Sequence, residues 1–234
     1  MAEETERVMV IMAHPDDPEF TVGGTVARWA REGKSIIYMI CTDGSRGSND
    51  PAMTPQQLIA IRKAEQEAAA RILGVEEVVW LGYEDGTLQH TLALRRDLTR
   101  VIRRYRPDVV ICQDPTVRYH GDSYLNHPDH RAAGDAALDA VFPSARTRYI
   151  FPELLAEGLE PHKVREVLVR DASAPNFWVD IGQTIEVKIA ALKAHESQVG
   201  HSEGLEARIR EWAQEEAKGQ DMTYAESFKR FVLR

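Results

Sequence analysis

Residues 8–19 read V-M-V-I-M-A-H-P-D-D-P-E, and the fold turns on this stretch. Its first six residues are apolar without interruption. That is the pattern of a strand covered on both faces rather than one with a wet side. Directly after it come His14, Pro15, Asp16, Asp17, Pro18 and Glu19. Working outward, residues 35–42, 77–81 and 108–113 repeat the short apolar run and are rich in Val and Ile, so they too are predicted as buried strands. Helical patterns lie between them. One covers 23–32 and stops at Gly33. A second covers 54–73, with Thr54 as N-cap, Pro55 in the first turn and Gly74 past the end. A third covers 92–105 and stops before Arg106-Pro107, because the residue before proline resists the α conformation. This alternation predicts an α/β fold, Rossmann-like and doubly wound, with a mainly parallel sheet and helices on both faces. Ligands in such sheets bind beyond the carboxyl ends of the strands.

The second half is less regular. A helix is expected over 131–142, strands over 164–170 and 177–181 with a turn at 173–176, and helices over 185–195 and 205–218. No internal repeat or linker interrupts the chain, so residues 1–234 are read as a single domain. A chain of this length buries roughly 70–75% of its unfolded surface and needs no covalent staples.

The net charge of −8 excludes a broad nucleic-acid surface. Arg95, Arg96, Arg100, Arg103, Arg104 and Arg106 form a local basic run, read as the solvated side of a helix. Cys41 and Cys112, the two cysteines, sit in apolar runs without a CxxC context and are read as small core residues. Residues 1–7 are acidic and the apolar run after them is too short for a signal peptide. No run approaches a membrane span. The expectation is a cytoplasmic protein that engages neither membrane nor nucleic acid.

Two polar clusters carry the chemistry. The first is His14-Pro15-Asp16-Asp17-Pro18-Glu19. A structural turn has little reason to crowd three carboxylates and a histidine together. Such carboxylates repel unless a cation or a proton offsets them. The second is Asn126-His127-Pro128-Asp129-His130, which follows the fourth strand and so falls at the same sheet edge. Histidines three apart share a helix face if a helix begins near Pro128. Two histidines, one carboxylate and an open water position make a catalytic zinc arrangement, and ferrous iron fits the same donors.

Together the clusters resemble the PIG-L/LmbE-like N-acetylglucosaminyl deacetylases. The resemblance rests on A-H-P-D-D at 13–17 and H-P-D-H at 127–130. It is supported by T-D-G-S-R-G at 42–47, the Arg62/Glu65 pair, A-A-A-R-I-L-G-V at 68–75, D-G at 85–86 and A-H-E-S-Q at 194–198. These marks span about residues 8–200. The resemblance implies His14, Asp17 and His130 as zinc ligands and Asp16 as the general base. It implies His127 as oxyanion stabiliser and proton donor, with Asp129 holding His127 charged and oriented. Many relatives carry Glu directly after the Asp pair; here Pro18 intervenes and the acid is Glu19, whose role is left open. The implied reaction is removal of an N-acetyl group from an N-acetylglucosamine-type sugar or conjugate, in an enzyme that forms homo-oligomers.

Further polar residues fall at the same edge. Arg46 and Asp43 follow the second strand, Tyr83 with Glu84 and Asp85 the third, and Asp114 and Arg118 lie in the long loop before His127. All are candidate substrate contacts. His195 reads equally as a helix-capping histidine and as a residue lining the site. The alternatives are an amidase for a larger sugar–thiol or glycoside conjugate, a non-catalytic carbohydrate- or metal-binding relative, and a dinucleotide-binding domain. The last would need a glycine fingerprint where this chain has His14-Pro15-Asp16-Asp17.

Overall fold

The computed structural model describes residues 5–234. Part of the acidic start read from residues 1–7 therefore lies outside the described residues. Strands β1 (Arg7–Met12), β2 (Ser35–Thr42), β3 (Glu77–Tyr83) and β4 (Val109–Gln113) alternate with helices α1 (Asp17–Arg31), α2 (Pro55–Leu73) and α3 (Leu92–Tyr105). A two-stranded hairpin, β5 (Tyr119–His120) and β6 (Tyr124–Leu125), leads into α4 (Pro128–Asp139). The short α5 (Glu153–Ala156) follows, then β7 (Glu166–Arg170) and β8 (Phe177–Asp180). The chain ends with α6 (Ile185–Lys193), α7 (Glu196–Val199), α8 (Leu205–Glu216) and β9 (Ala225–Val232).

The main sheet runs β3-β2-β1-β4-β7-β9-β8. The first five strands are mutually parallel; β9 pairs antiparallel with both β7 and β8. The chain winds from β1 outward through β2 to β3, then crosses back to place β4 on the other side of β1. The carboxyl end of β1 is thus the switch point where ligands collect in open α/β sheets.

Alternate residues of β1 feed two cores. Val8, Val10 and Met12 pack with α1, α2, α6 and α8; Met9 and Ile11 pack with α3 and α4. This is why the run is apolar throughout and why helices cover both faces, as expected. Cys41 and Cys112 are buried free thiols, and burial pushes both upward from the ordinary thiol range. Among the described residues no helix is long and apolar enough to cross a membrane.

Three expectations are corrected. Helix α1 begins six residues before Gly23, with Pro18 in its first turn. Gly23-Gly24 lies inside it, because a Cβ at Gly24 would sit 2.7 Å from Ile181. The glycine is there for close packing, not to start the helix. The helix expected to 142 ends at Asp139; the next turn is irregular, with Phe142 extended before Pro143. Arg103, expected on a solvated face, is buried. Its guanidinium donates to the carbonyls of Ser144, Ala145, Thr147, Ile150 and Leu159, fastening the 144–159 segment to α3. A fork of five N–H donors can be satisfied by carbonyls alone.

Candidate active site

The two polar clusters meet at the carboxyl end of the parallel strands. His14 leaves β1 and its backbone N–H donates to Asp17 Oδ2 at 2.8 Å. Gln113, the last residue of β4, donates to the same oxygen at 3.1 Å and accepts from the Ala13 N–H at 3.2 Å. Gln113 thereby fastens the first cluster across the switch point. Asp17 Oδ1 lies 3.1 Å from His130 Nε2, and Asp17 Oδ2 lies 3.4 Å from His14 Nδ1. Ligand atoms of His14, Asp17 and His130 all fall within 4.8 Å of one another.

The outer nitrogens of both rings are already engaged. His14 Nε2 lies 3.1 Å from Asp85 Oδ1 and 3.2 Å from Asp129 Oδ2. His130 Nδ1 lies 3.0 Å from Asn126 Oδ1. Acceptors on these nitrogens hold protons there, so His14 Nδ1 and His130 Nε2, which face Asp17, are the nitrogens a metal would take. This is how metal-binding histidines are oriented. The electrostatics agree. Burial opposes a charged His14, yet Asp129, Asp17 and Asp85 outweigh it and lift the ring to about 12. Burial likewise opposes ionisation of Asp17, and His130 and His14 override it and hold the carboxyl well below the usual range. The pocket calls for a positive charge at this point, and the donor set suits a divalent metal. A second grouping, His14 with His127 and Asp129, is also compact. Its carboxylate is occupied: Asp129 accepts from the Gly86 N–H at 2.7 Å and the Leu88 N–H at 3.1 Å.

Asp16 sits beside the cluster in the left-handed region, φ 77°. Burial pushes its carboxyl up to about 7, against the pull of Arg62. The Arg62 guanidinium lies 3.3 Å from Asp16 Oδ2 and donates to Pro15 O at 2.8 Å and to Gly44 O at 3.1 Å. His127 caps α4, is partly exposed and meets the His14 ring edge-on, 4.7 Å between centroids.

The remaining candidates divide. Arg46 and Arg118 are exposed at the rim; Arg46 pairs with Glu84 and donates its backbone N–H to Asp85. Asp43 spends its Oδ1 on the Ser45 and Asp85 N–H groups. Asp114 spends its Oδ1 on Thr116. The Tyr83 hydroxyl donates to Asp97 on α3 at 2.8 Å. These three shape the loops instead of facing the cluster. His195 is a correction: it is fully buried, its Nε2 3.1 Å from Glu19 Oε2, and cannot line an open site. The partnership of Asp129 is a second. Its carboxylate stays 3.9 Å from His127 Nδ1 and contacts His14 instead, while His127 Nδ1 accepts the Asp129 backbone N–H at 3.1 Å. Burial and the His14 charge push His127 below its ordinary value despite Asp129, so it is not held charged. Gln113 was missed as a member of the site, Asn126 stood in the second cluster without a role, and Asp85 was placed only among the candidate substrate contacts. The D-G pair at 85–86 and the Asn preceding His127 were the available signals.

Comparison with known proteins decides the family. Residues 9–141 match the family described as PIG-L, GlcNAc-PI de-N-acetylase. The chain belongs to the PIG-L family. It is 35% identical over 195 residues to the diacetylchitobiose deacetylase of Thermococcus kodakarensis, covering 83% of this chain and 71% of that one. It is 29% identical to a probable N-acetyl-α-D-glucosaminyl L-malate deacetylase 2 of Bacillus anthracis, covering 82% and 80%. The N,N′-diacetylchitobiose deacetylase structure from Pyrococcus horikoshii superposes with a TM-score of 0.90 at 32% identity, over 98% of this chain and 85% of that one. The PIG-L match spans both polar clusters, from β1 through His130.

Proposed function

We propose that this chain is a metal-dependent N-deacetylase that hydrolyses the acetamide of an N-acetylglucosamine-type sugar or a small conjugate of one. The observation that carries the reading is the meeting of His14, Asp17 and His130 with Asp16 beside them at the switch point. Its relatives in the PIG-L family bear the names of amino-sugar deacetylases.

Zinc, or ferrous iron, held by His14 Nδ1, Asp17 and His130 Nε2 would supply Lewis acidity and bring a water's pKa down to about 7. Asp16 takes the proton of the attacking water. A carboxyl raised to about 7 is matched to that task, because a general base works best near ambient pH. Arg62 keeps the Asp16 carboxylate in place. His127, with its Nδ1 committed to a backbone N–H, carries its proton on Nε2. It donates that N–H to the developing oxyanion, while the proton that Asp16 took from the water passes to the amine nitrogen as the C–N bond breaks, which returns Asp16 to its carboxylate. Asp129 and Asp85 hold the His14 ring. Arg46 and Arg118 at the rim offer forks to sugar hydroxyls.

The test is amine release from N-acetylglucosamine and N,N′-diacetylchitobiose, with metal content by elemental analysis, on wild type and D16N. We expect about one metal per chain in both proteins and a loss of at least about 100-fold in turnover for D16N. A chain that binds neither zinc nor ferrous iron on reconstitution would sink the mechanism.

A further inference from the structure

We propose that Gln66, backed by Glu19 and His195, is a positioning array that holds the Asp16 backbone in its left-handed conformation and so aims the base. The inference rests on the reading of Asp16 as the base, and it concerns residues to which that reading assigns no part.

Asp16 is one of four non-glycine residues among those described with positive φ. A side chain resists this conformation, and it persists only where surrounding bonds over-determine it. Those bonds are present. The Asp16 N–H donates to Gln66 Oε1 at 2.9 Å. Gln66 Nε2 donates to Glu19 Oε1 at 2.9 Å. Glu19 Oε2 lies 3.1 Å from His195 Nε2. Gln66, Glu19 and His195 have no exposed surface at all. On the other side, Arg62 grips the Pro15 carbonyl and so holds the preceding peptide unit.

The direction of the array is fixed by chemistry. A backbone N–H only donates, so the Gln66 oxygen must face Asp16 and its amide nitrogen must face Glu19. Glu19 then accepts from both neighbours. His195 Nδ1 is buried without a partner among the described residues, as suits the lone-pair nitrogen and leaves the N–H on Nε2 toward Glu19. Reversing any one group would set donor against donor or acceptor against acceptor. Three distant segments are used: α1, α2 and the start of α7. Glu65 on α2 reinforces the last of these by accepting from the Ser197 N–H and hydroxyl, both at 2.7 Å. The Arg62/Glu65 pair and the A-H-E-S-Q segment, separate marks in the sequence, thus converge on the residue that must be aimed.

The experiment compares Q66M, which removes both Gln66 bonds, with the exchanged pair E19Q/Q66E, which swaps donor and acceptor while keeping every bond and the charge count. Each is loaded with zinc and assayed for kcat, KM and metal content, alongside D16N. Hydrogen exchange at the Asp16 amide is followed by NMR in wild type and variants. We expect Q66M to lose between about 10- and 100-fold in kcat, with KM and metal content near wild type. The exchanged pair should stay within about threefold of wild type. The Asp16 amide should be protected in wild type and in the exchanged pair, and exposed to exchange in Q66M. Wild-type kcat in Q66M, an exchanged pair as impaired as Q66M, or loss of metal in step with kcat overturns the proposal. So does rapid exchange of the Asp16 amide in the wild-type protein, a measurement that requires no variant to fold. If D16N keeps full turnover, the assignment of the base fails instead, and amide protection alone then decides whether the array clamps residue 16.

Discussion

Glu19 and Glu226 are both fully buried and both bear on α1, yet they are compensated in different ways. Glu226, on β9, accepts from Lys188 Nζ at 2.6 Å and from the Gly24 and Thr25 N–H groups at 2.9 and 2.7 Å. It is a closed unit of a carboxylate, an ammonium and two helix N–H groups. Glu19, three residues into the same helix, has His195 as its only ion-pair partner among the described residues and an amide as its other neighbour. The same contrast recurs at three further acids. Glu216, like Glu226, meets a buried cation, Arg170. Asp17 and Asp129 meet histidines. Of these five, the acids that meet Lys188 or Arg170 hold the scaffold together and those that meet a histidine lie at or next to the switch point; Asp16, which meets Arg62 at the site itself, stands outside the division. A permanent cation gives an inert neutral pair, whereas an imidazole leaves lone pairs and mobile protons for chemistry.

The strongest test of that division is E226L. It leaves the Lys188 ammonium buried without a counter-charge and takes an acceptor from each of two N–H groups of α1. Removing one partner of a buried pair costs about 3–5 kcal/mol. Urea unfolding should show that loss, while turnover per folded molecule and metal content stay at wild-type values. A variant of unchanged stability and reduced turnover would break the comparison, because Glu226 would then belong with Glu19.

A smaller effect is expected at Gly24, which lets β8 and α6 approach α1 so closely that Glu226 and Lys188 can reach it. In G24A the new methyl would meet Ile181 side-chain atoms at 2.7–2.8 Å. Overpacking of this kind costs about 1–3 kcal/mol. Thermal unfolding should fall accordingly, with KM unchanged. If KM rose in G24A with stability intact, the middle of α1 would be transmitting to the site and the two regions would not be separable.

Legibility follows the same boundary. Strands β1, β2 and β4 could be read because they are buried on both faces and so almost continuously apolar, whereas β3, expected to be buried, lies at the sheet edge half-exposed and was legible only from its Val-Val-Trp-Leu run. The cluster at 14–19 stood out because polar crowding directly after a buried strand has no packing explanation, and the histidines at 127 and 130 gained their weight from standing beside it. Strand β9 went unread. Its sequence A-E-S-F-K-R-F-V mixes charge with aromatics. Glu226 is buried there only because Lys188 and α1 receive it, a fact of tertiary structure that no local pattern carries. His195 was ambiguous for the same reason, since its partner Glu19 lies 176 residues away. Asp129 was paired with His127 on the family resemblance. The fold instead turns its carboxylate toward the Gly86 and Leu88 N–H groups and the His14 ring.

The smallest effect expected is a pH dependence. Glu216 is largely buried, which alone would raise its carboxyl. The Arg170 guanidinium, donating to both its oxygens, and the Ser227 N–H more than offset this and hold it below 4.5. A carboxyl depressed in the folded state stabilises the protein at pH values above its unfolded value. That contribution is lost as pH falls through the folded value. E216Q removes it. The difference in Tm between wild type and E216Q should therefore be constant from pH 7 to about 5 and shrink as pH is lowered toward about 3. Arg170 also holds the Thr21 and Ser227 carbonyls, so it stays anchored when the charge at 216 is gone, and the loss should remain smaller than in E226L. A Tm difference that did not change with pH would mean that shape, not charge, makes the Arg170–Glu216 contact useful. The distinction between cation-paired and histidine-paired acids would then hold for Glu226 alone.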